Sequence, residues 1–295
     1  MARYQYKHRR PQRRRIPISI LTAVVLLIAA IAYPFAEPLN LSVEEHTYEV
    51  AGLAANLKNL RIVFASDIHQ CSWFSQKRVN QTIAAINALS PDLIILGGDY
   101  ATDSETAITF FRQLPSLQAR LGVYGVLGNH DRTGPESNLS RLINEMTNAG
   151  VTPLVNNVSR IKVGQSSVTV AGVDDIYNGY PDVAGVAAQV YGDDFVIFAG
   201  HSPDLLTEML KVKSADGKNH WYDMALFGHT HGGQINLFGY TPFINVKPQI
   251  GARYLTGWME ENRAAVLVSN GVGTSVVPLR LFAPPQIHLI TLKAR

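Results

Sequence analysis

Five short polar clusters hold the side chains best suited to bind a divalent metal: Ser66-Asp67-Ile68-His69, Gly97-Gly98-Asp99-Tyr100, Gly128-Asn129-His130-Asp131, Gly200-His201-Ser202-Pro203 and Gly228-His229-Thr230-His231. They contain five of the nine histidines. Imidazole, carboxylate and amide oxygen without thiolate suit manganese, iron or zinc rather than copper or an iron–sulfur cluster. The chemistry of such a set is hydrolytic: paired cations activate a water and stabilise the charge that develops on the group attacked. The single cysteine, Cys71, excludes an intrachain disulfide framework and any thiolate cluster. Taken one at a time, the clusters have plainer readings. Asp67 could be a helix cap, Gly98-Asp99 a turn and Asn129–Asp131 an Asx turn. His229 and His231, two apart at a strand end, point to one face. Only the ordered set of five points to one site.

Each cluster follows a short apolar run: Leu60–Ala65, Leu93–Leu96, Val123–Leu127, Phe195–Ala199 and Met224–Phe227. Such runs read as buried strands. Helical spacing lies between them. Val79, Ile83 and Ile86 form one face; Leu139, Leu142, Ile143 and Met146 form another, stopped by Gly150. Leu205, Leu206, Met209 and Leu210 follow Ser202-Pro203, a cap with proline at the first helical position. The last sixty residues show alternating runs, Ala264–Ser269 and Gln286–Leu292, and suggest an antiparallel meander. The pattern predicts an α/β fold with two sheets, one face of each covered by helices. Ligands bind at the carboxyl ends of strands in such folds, so five tips can meet in one crevice. His8, His46, His220 and His288 lack motif context and read as exposed or structural; Asp174 and Asp175, after another apolar run, are left open.

Hydrophobic residues make up 46% of the 295 and charged residues 17%, as in a globular chain. Seven of the 26 basic residues lie in the first fifteen positions, leaving 19 against 23 acidic ones, a net of −4 for the body. That sign argues against long nucleic acid as a partner. The basic tail, 1–15, precedes Ile16–Tyr33, eighteen residues without a charge. A helix of that length spans about 27 Å, enough for a hydrocarbon core. The arrangement predicts a single-pass inner-membrane anchor with the body on the periplasmic or extracellular side. A cleaved secretory peptide, with Ala30-Ile31-Ala32 at the cut, competes with it, but the apolar run is long for one. Residues 34–59 read as a connecting segment, with Val43–Gly52 alternating like a strand, and 60–295 as the globular domain.

The ordered motifs resemble the calcineurin-like metallophosphoesterase superfamily from Leu60 to the C-terminus. Gly228–Gln234, Val268–Thr274 and Pro278-Leu279-Arg280 resemble a bacterial membrane-anchored branch that includes hydrolases of the UDP-diacylglucosamine type. The resemblance implies a four-layer α/β/β/α sandwich of two mixed sheets. It also implies two divalent ions, with manganese expected first and iron, zinc or magnesium as alternatives. Asp99 would bridge them; Asp67, His69 and His231 would complete one ion, and Asn129, His201 and His229 the other. His130 would protonate the leaving oxygen, with Asp131 orienting it. Arg280 is a candidate phosphate contact through its guanidinium. The expected activity is hydrolysis of a phosphodiester, phosphomonoester or pyrophosphate, on a lipid- or envelope-linked substrate. UDP-diacylglucosamine pyrophosphatase and a non-catalytic metal scaffold are the alternatives. No protein partner is expected.

Overall fold

The computed structural model describes residues 18–192, 194–241 and 248–295. The basic tail and the first residues of the expected anchor lie outside that range. The strands, in chain order, are β1 (Ser42–Val50), β2 (Arg61–Ala65), β3 (Leu93–Leu96), β4 (Val123–Gly125), β5 (Val151–Pro153), β6 (Asn157–Val163), β7 (Ser166–Gly172), β8 (Phe195–Ala199), β9 (Met224–Phe227), β10 (Gly257–Glu261), β11 (Ala264–Val268) and β12 (Gln286–Ala294). The helices are α1 (Ile18–Ala36), α2 (Gln76–Ala88), α3 (Ser104–Arg112), α4 (Ser137–Asn148), α5 (Val183–Ala187) and α6 (Leu206–Met209).

Two six-stranded sheets result, ordered β1-β12-β2-β3-β4-β5 and β10-β11-β9-β8-β7-β6. Within the first, β2 to β5 run parallel and β12 is antiparallel to β2. Within the second, β7, β8, β9 and β11 run parallel, with β6 and β10 antiparallel at the edges. Side-chain alternation along each strand divides the core. Ile62 and Phe64 join Leu93, Ile95, Ile197 and Leu226 between the sheets. Val63, Ile94 and Leu96 face outward onto Val79, Ile83, Ile108, Leu142 and Met146 from α2, α3 and α4. Phe198 and Val266 face Val186, Leu206 and Trp221 on the other flank. Three apolar layers therefore separate four layers of structure, helix, sheet, sheet and helix.

Local chemistry explains the helix ends. Asp103 caps α3 by accepting from Thr106 N at 2.8 Å. Gly150, at φ +79°, sits just past the end of α4, as its sequence position suggested. The helix expected after Pro203 is shorter than its spacing implied: a 3₁₀ turn, Pro203–Leu205, leads into one turn of α6.

Two expectations need correction. The last sixty residues are not a meander. β10 and β11 form an antiparallel hairpin, but β11 lies parallel to β9, and β12 crosses to the first sheet. Alternation records which residues share a face, not which sheet a strand joins, and β12 is buried on both faces. The second correction concerns residue 60. β1 pairs with β12 along its whole length, so the first sheet begins inside the segment read as a connector. His288 is buried within this edge, hydrogen-bonded to Ser269 and to His46, which stacks on Trp258 at 5.0 Å. Both histidines are structural.

α1 and the turn after it, Ile18–Leu39, form one helical stretch of 22 residues, apolar and long enough to cross a membrane. No residue of α1 itself is buried, whereas Glu37 and Pro38 in the turn after it are.

Candidate metal centre

The parallel strands of both sheets end at one edge, and the polar clusters follow those ends. β2 leads to Asp67 and His69, β3 to Asp99, β4 to Asn129 and His130. From the facing sheet, β8 leads to His201 and β9 to His229 and His231. Five of these side chains (Asp67, His69, Asp99, His229 and His231) have positive φ, between +47° and +70°. Left-handed backbone is unfavourable for such residues and is maintained only when the surroundings over-determine it. Glycine supplies the necessary room. A Cβ on Gly128 would stand 2.2 Å from Asp99 Oδ1, and one on Gly271, at φ +70°, 2.5 Å from Asp67 Cβ.

The donors converge closely. Asp99 Oδ2 lies 3.4 Å from His69 Nε2 and 3.2 Å from His201 Nε2. His69 Nε2 and His231 Nε2 are 3.1 Å apart, and Asp67 Oδ1 is 3.6 Å from His231 Nε2. His229 Nδ1 lies 3.0 Å from Asn129 Oδ1 and 3.3 Å from His201 Nε2. Three groupings have ligand atoms close enough to share a cation: Asp67, His69 and His231; Asp67, Asp99 and His201; His69, Asp99 and His130. All seven expected metal donors thus fall in one cluster, with His130 at its margin.

Electrostatics suit a cation. Burial holds His69 down to about 4, although Asp99 pulls it upward. Burial likewise takes His229 to about 3 and His231 well below its usual value. These imidazoles are neutral at physiological pH, with lone pairs available. Burial raises Asp67 to about 6, with His201 opposing. Burial would raise Asp99 too, but His201 beside it overrides that, and Asp99 stays ionised. His201 is raised by Asp99 against its own burial. His201 Nδ1 meets Gly97 O at 2.8 Å, where only the ring nitrogen can donate, so Nε2 faces the carboxylates. Buried, mutually facing carboxylates and neutral imidazoles fit divalent ions, which would satisfy groups the protein leaves facing one another.

His130 is half-buried and edge-on to His69, ring centroids 4.9 Å apart. Its Nδ1 donates to Thr102 O at 2.9 Å, and its backbone N donates to Asp99 Oδ1 at 2.9 Å. Asp131 does not reach into the site. Its carboxylate accepts from the backbone N–H groups of Asp99, Gly128 and Tyr100, at 2.7, 2.9 and 3.1 Å. It therefore shapes the turns that carry Asp99 and His130.

Arg280 also departs from expectation. It is fully buried, and its guanidinium donates to the carbonyls of Gly273, Asn270, Gly271 and Ala283. Its Nη2 lies 3.3 Å from His231 Nδ1. With those donors engaged, it is not free to bind phosphate; it fixes the C-terminal turn behind His231, an expected metal ligand. The sequence reading also missed the loop after β7. Asp174 pairs with Arg132 at 3.2 Å, and Asp175 accepts from Tyr177 N and Asn178 N. Tyr177 stacks on His229 at 4.8 Å, and Asn178 Nδ2 donates to Asn129 O at 2.8 Å. The one hint was Asp174-Asp175 at the end of an apolar run.

A two-sheet sandwich whose facing strand ends share an Asp/His/Asn cluster is the arrangement of a metallophosphoesterase. Residues 60–233 match the family described as calcineurin-like phosphoesterase. The chain is 30% identical over 264 residues to an uncharacterized metallophosphoesterase of Bacillus subtilis (YkuE), covering 88% of each. It is 29% identical to the phosphodiesterase YaeI of Escherichia coli, over 83% of this chain and 86% of the relative. A bovine transmembrane protein with a metallophosphoesterase domain is 27% identical over 95% of this chain and 63% of its own length. The chain belongs to the calcineurin-like phosphoesterase family and is a phosphoester hydrolase.

Proposed function

We propose that the protein is a two-metal phosphoesterase held at a membrane, acting on an amphiphilic or envelope-linked phosphoester. The observation that carries the reading is Asp99 Oδ2, which lies within 3.4 Å of imidazole nitrogens from both donor sets. A carboxylate so placed suits the bridging role. Asp67, His69 and His231 would hold one ion, and Asn129, His201 and His229 the other, with manganese the first metal to test. Bound divalent ions would supply Lewis-acid activation of water and neutralise charge on the phosphoryl oxygens. His130 has its Nδ1 proton committed to Thr102 O, which leaves Nε2 as the position that meets substrate. Protonated there, it donates to the departing oxygen. Asp131 and Arg280 are positioning residues in this scheme. The phosphodiesterase name of the E. coli relative favours a diester as first substrate.

Membrane attachment is supported by the exposed apolar helix and by the transmembrane name of the bovine relative. The positive-inside pattern supports a catalytic body on the non-cytoplasmic side. Protease treatment of intact spheroplasts tests that orientation: digestion of the body is expected, and full protection until lysis would reverse it. For the chemistry, the full chain is assayed with manganese and a chromogenic phosphodiester. Asp99→Ala should lose metal and activity together. His130→Ala should retain metal and lose about 10²–10⁴-fold in turnover. Full activity of His130→Ala on a poor leaving group would remove it from the reaction. No turnover with manganese, zinc, iron or magnesium would leave a metal-binding scaffold.

A further inference from the structure

The membrane helix does not end in a free tether. Its last turns are fastened to the loop that follows Arg280. Arg280 N donates to Pro34 O at 2.9 Å, and the Glu37 carboxylate accepts from Phe282 N and Ala283 N at 3.0 and 2.8 Å. Tyr33 meets the Phe282 ring at 6.3 Å, and Phe282 meets Phe238 at 5.9 Å. Phe238 belongs to a tight hairpin that grows from the metal-site segment. Leu281 N donates to Gln234 O, Asn236 N donates to Leu281 O, and Leu237 and Tyr240 pair across the turn.

The tip of this hairpin has an unusual composition. Phe238 and Gly239 both have positive φ, the geometry of a turn that favours Asn-Gly or Asp-Gly. A bulky aromatic is unfavourable there, and Phe238 is 98% exposed, so neither the turn nor the core explains it. Phe282, also at positive φ, is 54% exposed beside it. Leu39, at the end of the helical stretch, is 70% exposed, and Tyr240 is exposed as well. Apolar and aromatic side chains therefore continue outward from the point where the membrane helix joins the domain.

We propose that this surface, Tyr33, Leu39, Phe238, Tyr240 and Phe282, sits in the headgroup boundary of the bilayer and fixes the catalytic domain's tilt against the lipid surface. The inference rests on the membrane attachment proposed above. Aromatic rings at the end of a membrane helix match the composition of the membrane–water interface, and apolar faces there reach about 5–10 Å into it. Continuity with the helix favours lipid over a protein partner as occupant. The consequence concerns access. Phe238 is seven positions beyond His231, at most about 25 Å of chain, so a phosphoester at headgroup level lies within reach of the metal donors.

The test uses the full chain in phosphatidylcholine vesicles. Cys71 is the only cysteine, so Cys71→Ala gives a background for single labels at Phe238→Cys, Phe282→Cys and Tyr191→Cys. Tyr191 is exposed and lies before β8, at the opposite end of the sheet from the metal donors. Each site carries an environment-sensitive fluorophore, and lipids bearing a nitroxide near the headgroup act as quencher. Quenching at positions 238 and 282 about twofold or more above that at 191 is the expected result for groups seated within this 5–10 Å layer. Equal quenching at all three sites overturns the proposal. Shielding of position 238 from an aqueous quencher without quenching by lipid assigns the surface to a protein neighbour or a second copy, and also overturns it. Retention in the vesicles after an alkaline wash reads the helix alone. Release there defeats attachment and this inference together, whereas retention with unquenched 238 and 282 defeats only the inference.

Discussion

The Arg280 guanidinium reaches five backbone carbonyls and lies against the His231 ring, so its removal disturbs a turn and a proposed metal ligand at once. Arg280→Met keeps much of the volume but leaves those carbonyls without their donor, and groups that orient metal ligands typically contribute 10–100-fold to affinity. The expected phenotype is manganese binding weaker by about 10–100-fold, with turnover restored by excess metal. Metal titration of activity reads this. A variant that binds manganese normally yet turns over slowly would instead return Arg280 to direct contact with substrate. Arg280→Lys should not rescue, because a single ammonium cannot span carbonyls on both sides of the turn.

At the scale of elements, the edge formed by β1 and β12 carries a pH dependence separate from the metal. Burial lowers His288 to about 3, and His46 beside it contributes; burial also lowers His46, with Glu44 opposing. A histidine kept neutral in the fold stabilises it fully above its unfolded value near 6.5. That contribution is lost as pH falls toward about 3, because the unfolded chain takes up the proton first. Between pH 6.5 and 5 the loss is about 2 kcal/mol for one such group. Urea unfolding of the metal-free chain should therefore show a smaller drop in stability over this interval for His288→Gln than for the parent. Parallel pH profiles would mean that His288 titrates normally.

For the molecule as a whole, the proposed metal ligands join the two sheets: Asp67, His69, Asp99 and Asn129 come from one, His201, His229 and His231 from the other. A cation shared between them binds the folded sandwich and not the unfolded chain, and at one hundred times its dissociation constant adds about 2.7 kcal/mol. Chelation should lower the melting temperature by about 5–10 °C for a domain of this size. In Asp99→Ala the chelator should have little effect. An equal shift in both proteins would place the stabilising ion elsewhere.

The amino-acid order by itself determined the five polar clusters, the strands before them and the donors they carry, because apolar runs ending in Gly, Asp, Asn and His encode strand and tip within a few residues. It also determined an apolar helix near the N-terminus, since length and absence of charge are local properties. Tertiary structure decided what depends on distant partners. β12 looked like one more alternating strand, yet it lies between β1 and β2, where both its faces are covered. Arg280 resembled a phosphate contact because arginine often is one; only the surrounding carbonyls of the folded turn show its donors already engaged. Asp131 was drawn inward by three backbone N–H groups, two of them on the strand tip that carries Asp99. The contact of Tyr177 with His229 spans two loops remote in sequence and leaves no periodic trace. Local pattern specifies which residues can act. Packing specifies which of them face the same point, because a hydrogen bond or a shared ligand requires atoms within about 3 Å, a distance set only when the layers close.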